Sequence, residues 1–238
     1  MIEFVKKSFL HTSTALLAAA LLSIALTPTS AFAGSSGLDE LTSNSRMDTK
    51  SKDVIKSDFN YLESLIGSHA SKLSDYVFKT NGRFDGMKYA QFFYRRVSRL
   101  QFGYCANGAT ACAGGYGAIN LSFGFFRISR VERLSLLLHE ARHLEPGGWN
   151  HEICPRPFLD SNRQPIVSRP ENIRLAGLPA CDSSPLSAYG IQIIFYRNLA
   201  ENCENCTAEL KSESAENALR FLIRIINKSA QGILQSDY

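Results

Sequence analysis

No sign of charge dominates this chain: 26 Lys and Arg stand against 22 Asp and Glu in 238 residues, a formal net charge of +4. It has no Lys/Arg block and no aromatic–basic stacking motif, so nucleic acid is excluded as the expected partner. Beyond residue 33 no apolar run is long enough to cross a bilayer, and no membrane span is expected once the front segment is removed. A phosphate loop is missing as well. Gly114-Gly115-Tyr116-Gly117 lacks the G-x-x-x-x-G-K-[ST] form and opens no helix, so it reads as a turn. No internal repeat is present, which leaves a chain of ordinary domain size able to bury one core.

What is present at the front gives a destination. Residues 1–33 carry Lys6 and Lys7, an apolar stretch from Ala15 to Leu26, and the end Ala31-Phe32-Ala33. This is the n-region, h-region and A-x-A pattern of a cleavable secretory signal, and it predicts a periplasmic or extracellular protein. No cysteine stands at the expected cut, so lipid attachment there has no support. All six cysteines, at 105, 112, 154, 181, 203 and 206, follow the signal, and an even count in an exported chain reads as disulfides. Six cysteines allow fifteen pairings. Nearest-neighbour pairing is the expectation: Cys105–Cys112, Cys154–Cys181 and Cys203–Cys206. For the last pair a redox or metal role is the alternative, although nothing around it resembles a thioredoxin-type strand–turn–helix.

Residues 34–52, rich in Ser, Gly, Asp and Lys, read as a flexible leader. Apolar spacing then predicts a helix over 53–66, a second over 87–97, a strand over 100–104, a glycine-rich loop over 106–117 and a strand over 118–123. A helix is expected after Ser184-Pro185, carrying Tyr189, Ile193 and Tyr196 on one face. An amphipathic helix over 207–228 follows, whose apolar residues point to core packing. Fold class is therefore α+β: one mostly helical domain over 53–238, with a small sheet packed beside one central helix.

That central helix carries the chemistry. Ser129 and Glu132 form a capping box, and Pro146-Gly147-Gly148 ends the run. Within it His139-Glu140-Ala141-Arg142-His143 has the form H-E-x-x-H. On a helix, positions four apart share a face, so two imidazoles are presented together with a carboxylate beside them, as a catalytic zinc site requires. Val131, Leu134, Leu137, Leu138, Ala141 and Leu144 fall on the other side, which predicts an anchored apolar face and an open histidine face. A third histidine, His151, follows the glycine break, so three of the five histidines lie within thirteen positions.

The motif helix resembles that of the zincin metallopeptidases. The chain is also similar to small exported bacterial proteins with an H-E-x-R-H helix, a glycine turn and an H-x-x-C segment. The resemblance implies that His139 and His143 bind Zn2+ and that Glu140 is the general base for hydrolysis of a protein or peptide substrate. The third ligand stays open. The run from His143 to His151 is two residues longer than the H-x-x-G-x-x-H continuation of metzincins. His151 is favoured by proximity, and Glu201, on a later helix, is the gluzincin-type alternative. Cys154 as a fourth ligand would make the site structural instead of catalytic. Tyr189 reads either as a hydrogen-bond donor to an oxyanion, as in some zincins, or as a packed core aromatic. Arg142 faces away from the histidines and is expected to pair with a carboxylate. Trp149 either walls the cleft or packs under the loop.

Overall fold

Helix starts are set by side-chain oxygens. Asp48, Ser71, Asp85, Ser129, Ser187, Thr207 and Asn227 each accept a backbone N–H two or three residues on, satisfying a donor the helix itself leaves unpaired. The structure, a computed structural model, describes residues 34–147, 149–168 and 172–237. The expected signal peptide, residues 1–33, lies outside the described residues. The elements run α1 (Gly34–Asn44), α2 (Thr49–Glu63), α3 (Lys72–Phe78), α4 (Gly86–Tyr94), β1 (Arg99–Phe102), β2 (Ala111–Ala113) and β3 (Ala118–Leu121). They continue with α5 (Arg130–His143), β4 (Glu152–Ile153), β5 (Pro179–Cys181), α6 (Ala188–Arg197), α7 (Ala208–Leu222) and α8 (Lys228–Ser236). This is a single α+β domain, and among its described residues no helix is long and apolar enough to cross a membrane.

Strand β3 is central to a three-stranded sheet, parallel to β1 and antiparallel to β2. Helix α5 packs against β2, α6, α4 and α2, which places the motif at the junction of sheet and helices. Leu134, Leu137 and Leu138 meet Ile191, Ile194 and Phe195 of α6, Phe59 of α2 and Ile119 of β3 in one continuous core. A clamp of charge fixes the far side of α5. Arg133 donates to both oxygens of buried Asp58 on α2, at 2.6 and 2.9 Å, a paired geometry suited to a desolvated carboxylate. Strands β4 and β5 form a separate antiparallel pair over a smaller cluster built from Cys154, Phe158, Ile166, Leu175 and Cys181.

Two expectations change. Residues 34–52 are not a flexible leader: they form α1 and the start of α2, with Leu38 and Leu41 buried against the main core. Ser45 Oγ accepts from the Leu100 N–H at 3.0 Å, and the Arg46 N–H donates to the Leu100 carbonyl at 3.1 Å, so this segment also caps β1. The polar composition hid two leucines that suffice once α4 and β1 supply a surface for them. The loop 106–117 likewise contains β2, whose small residues carry little strand propensity; pairing with β3 and the Cys105–Cys112 bond hold it in place. All three disulfides join nearest neighbours.

Because Leu41 is only 2% exposed, Leu41→Ala is expected to lower unfolding stability by about 2–5 kcal/mol in urea titrations. A stability change under about 0.5 kcal/mol would return residues 34–52 to the status of a loose leader.

Candidate metal centre

The capping box forms as the sequence predicts. Ser129 Oγ accepts the Glu132 N–H at 3.3 Å, and the Glu132 carboxylate accepts the Ser129 N–H at 3.1 Å. The helix then runs to His143, and Gly147, at φ +97°, turns the chain through a region that disfavours any side chain. Arg142 braces this turn. It pairs with Glu145, which also holds Arg96; its Nε donates to the Leu186 carbonyl at 2.8 Å, and its guanidinium lies 4.1 Å from the Trp149 ring centre. The arginine of the H-E-x-R-H motif thus faces away from the histidines, paired with a carboxylate, and holds the return loop.

That loop brings His151 onto the helix pair. His139 and His143 Nε2 stand 3.1 Å apart, and His151 Nε2 is 3.1 Å from the first and 3.2 Å from the second. Three nitrogens about 2.0–2.1 Å from one tetrahedral ion stand about 3.3 Å from each other, so the triangle has the dimensions of a metal ligand set. Its electrostatics agree. Burial, with the neighbouring imidazoles adding to it, holds His139 well below the usual histidine range. Burial likewise lowers His143 to about 4. Both rings are therefore neutral near pH 7, the form that ligates metal. His151 Nδ1 lies 2.8 Å from Asp182 Oδ1, which fixes that nitrogen as the donor and turns the Nε2 lone pair toward its partners. The three histidines form a group able to hold a metal ion.

Glu140 sits beside this group. Its Oε1 is 4.0 Å from His139 Nε2, and its Oε2 accepts the Ala113 N–H of β2 at 2.8 Å. Burial pushes its pKa up to about 8, the Ala113 hydrogen bond opposing that shift. A carboxyl group so placed exchanges a proton near neutral pH. Tyr189 completes the wall: its ring stacks on His151 at 4.6 Å and meets His139 edge-on at 4.7 Å, while its hydroxyl accepts from Arg224. Tyr189 is thus a packed core aromatic, as one of its two readings expected, and it also lines the site. A cavity of about 560 Å³ opens here, lined among others by Ala111, Ala113, His143, Leu178, Gln192 and Arg224.

No family model, curated protein or solved structure matches this chain.

Glu201 does not join the group. It is exposed and accepts from Arg197 at 2.8 and 3.2 Å, an ordinary i,i+4 pair on the helix surface. Cys154 is bonded to Cys181 and has no free thiolate to offer. The expected open histidine face is also corrected: His139 and Glu140 are 3% and 5% exposed, because α6 and β2 close over that side of α5. Sequence reasoning missed Asp182, Ala113 and Arg224. Only Asp182 left a trace, as the neighbour of the cysteine that pairs three residues after His151.

Two outcomes follow from these contacts. Asp182→Asn is expected to weaken metal binding about 10- to 100-fold in chelator competition, since it removes the acceptor that orients His151. Unchanged affinity would deny Asp182 that role. Glu140 titrates near 4.5 when unfolded and near 8 when folded, so the stability linked to its protonation is lost as pH rises from about 4.5 through about 8. In excess chelator, Glu140→Gln should therefore be more stable than the parent at pH 8, with the gap closing toward pH 4.5; a pH-independent gap would contradict it.

Proposed function

We propose that this chain is an exported zinc-dependent metallopeptidase. The observation that carries the reading is the triangle of Nε2 atoms with the Glu140 carboxyl beside it, opening on a cavity. Three neutral imidazoles favour zinc among the common divalent ions, and three protein ligands are the number a catalytic site uses. Three disulfides support the oxidising destination expected from the front of the chain. A zinc ion there would polarise the scissile carbonyl and make a water acidic enough to attack it near neutral pH.

The chain's own residues divide the remaining work. Glu140 takes the proton from the attacking water and returns it to the leaving amine, with Ala113 N–H holding the carboxylate in place. Arg224 donates to the Tyr189 oxygen, which leaves the phenolic hydrogen free to be donated toward a developing oxyanion. Strand β2 is an edge of its sheet. Thr110 and Gly114 face β3, as shown by the Ser122–Thr110 and Gly114–Ala118 bonds, so alternation turns the Ala111 backbone groups and the Ala113 carbonyl outward. Ala111 and Ala113 line the cavity, where an extended peptide can add along that edge.

Glu140→Gln should retain stoichiometric zinc by metal analysis and lose at least about 100-fold in hydrolysis across a mixed peptide panel. His151→Ala should lose the metal, while Glu201→Ala keeps it. Stoichiometric zinc in the parent without cleavage of any peptide would favour the alternative, a non-catalytic zinc-binding protein.

A further inference from the structure

Beyond the imidazoles the cavity ends against the last turn of α7 and the residues after it, where Arg220, Phe221 and Arg224 line the wall. The two arginines differ in their partners. Arg220 is paired with Glu132 at 3.2 Å. Among the described residues Arg224 has no carboxylate within ion-pair distance; it donates to the Tyr189 hydroxyl and lies 4.8 Å from the Tyr189 ring centre and 5.5 Å from that of Phe221. Both rings lie beside the guanidinium, and the Tyr189 hydroxyl takes one of its five N–H donors. The acidic groups of this region are already committed. Glu132 serves Arg220 and the Ser129 N–H, Asp182 serves His151 and the Tyr189 N–H, and Glu140 accepts from Ala113. Tyr189 touches His139 and His151 as well as Arg224, so this cation stands one aromatic ring from a cluster that would itself hold a dication.

A held guanidinium with spare donors, facing a cleft and lacking a counter-charge, matches the planar fork of a carboxylate. We propose that Arg224 anchors a substrate carboxylate, so that the preferred peptides carry one within about two extended residues, or about 7 Å, of the scissile bond. The proposal rests on the peptidase reading and narrows its substrate class. The carboxylate has two sources, a peptide C-terminus or an Asp or Glu side chain, and both present the same pair of oxygens.

The test is calorimetric binding to zinc-loaded Glu140→Gln protein, in which bound peptide is not turned over. Three probes suffice: N-acetyl-tetraalanine as the free acid, the same peptide as its C-terminal amide, and an amide with one Asp in place of its last Ala. The acid, the Asp-containing amide or both should bind at least ten-fold tighter than the plain amide, and whichever gains names the source. Adding Arg224→Gln should abolish the gain while leaving zinc affinity unchanged. Adding Arg224→Lys, which keeps charge but loses the fork, should leave an intermediate gain and serves if the Gln variant fails to fold. Equal affinities for all three probes overturn the proposal, as does a gain that survives Arg224→Gln, since the carboxylate would then be reading the metal. Failure of the two readings separates cleanly. A parent protein that binds the carboxylate but cleaves nothing refutes the peptidase and keeps the anchor; one that cleaves all three probes alike refutes the anchor and keeps the peptidase.

Discussion

Helix α5 is enclosed by β2, α6, α4 and α2, and the polar side chains of Ser135, His139, Glu140 and Arg142 are buried with it. Most of them find partners: Ser135 donates to Tyr196 at 2.7 Å, Glu140 takes the Ala113 N–H, and Arg142 holds Glu145 and the Leu186 carbonyl. Among the described residues His139 Nδ1 has no hydrogen-bond partner, and the Nε2 atoms of His139 and His143 have no partner outside the histidine group. They face only each other and His151, three lone-pair-bearing atoms within 3.2 Å. Neutral rings so crowded lack a charge between them, and a metal cation held by the group would supply it. The rest of the site is arranged around that deficit.

Burial also separates the tasks of neighbouring groups. It lowers the histidines and raises Glu140, moving ligands and carboxyl in opposite directions from their ordinary values. Groups pushed apart this way are the ones that divide acid, base and ligand roles in a reaction. The same enclosure makes the surroundings specific. Gln192 donates to Ser135 at 3.1 Å, and Ser135 donates to Tyr196, forming a polar chain along α5 and α6 that keeps both helices in register beside the cavity.

Local signals carried much of this arrangement into the sequence. The capping box, the i,i+4 histidines and the glycine break all act within a few residues, and each appears where spacing alone would put it. The starts of α2 and α4 shifted because Asp48 and Asp85 cap earlier than the apolar period begins, and the helix expected over 207–228 stops at Leu222. What stayed hidden depends on distant surfaces. Leu38 and Leu41 look like two apolar residues in a polar leader until α4 and β1 are there to receive them. Ala113 contributes only its backbone N–H, which no residue type advertises. Asp182 and Arg224 reach the site through long-range packing, 31 and 73 residues beyond His151.

The bond between Cys154 and Cys181 bears on more than the small cluster around it. His151 and Asp182 flank the two halves of that crosslink, so they remain tethered at short range whatever the intervening residues do. Their encounter is governed by a local effective concentration and not by closure of the long loop between them. His151 and its carboxylate partner, far apart in the chain, are thereby held as one unit beside α5.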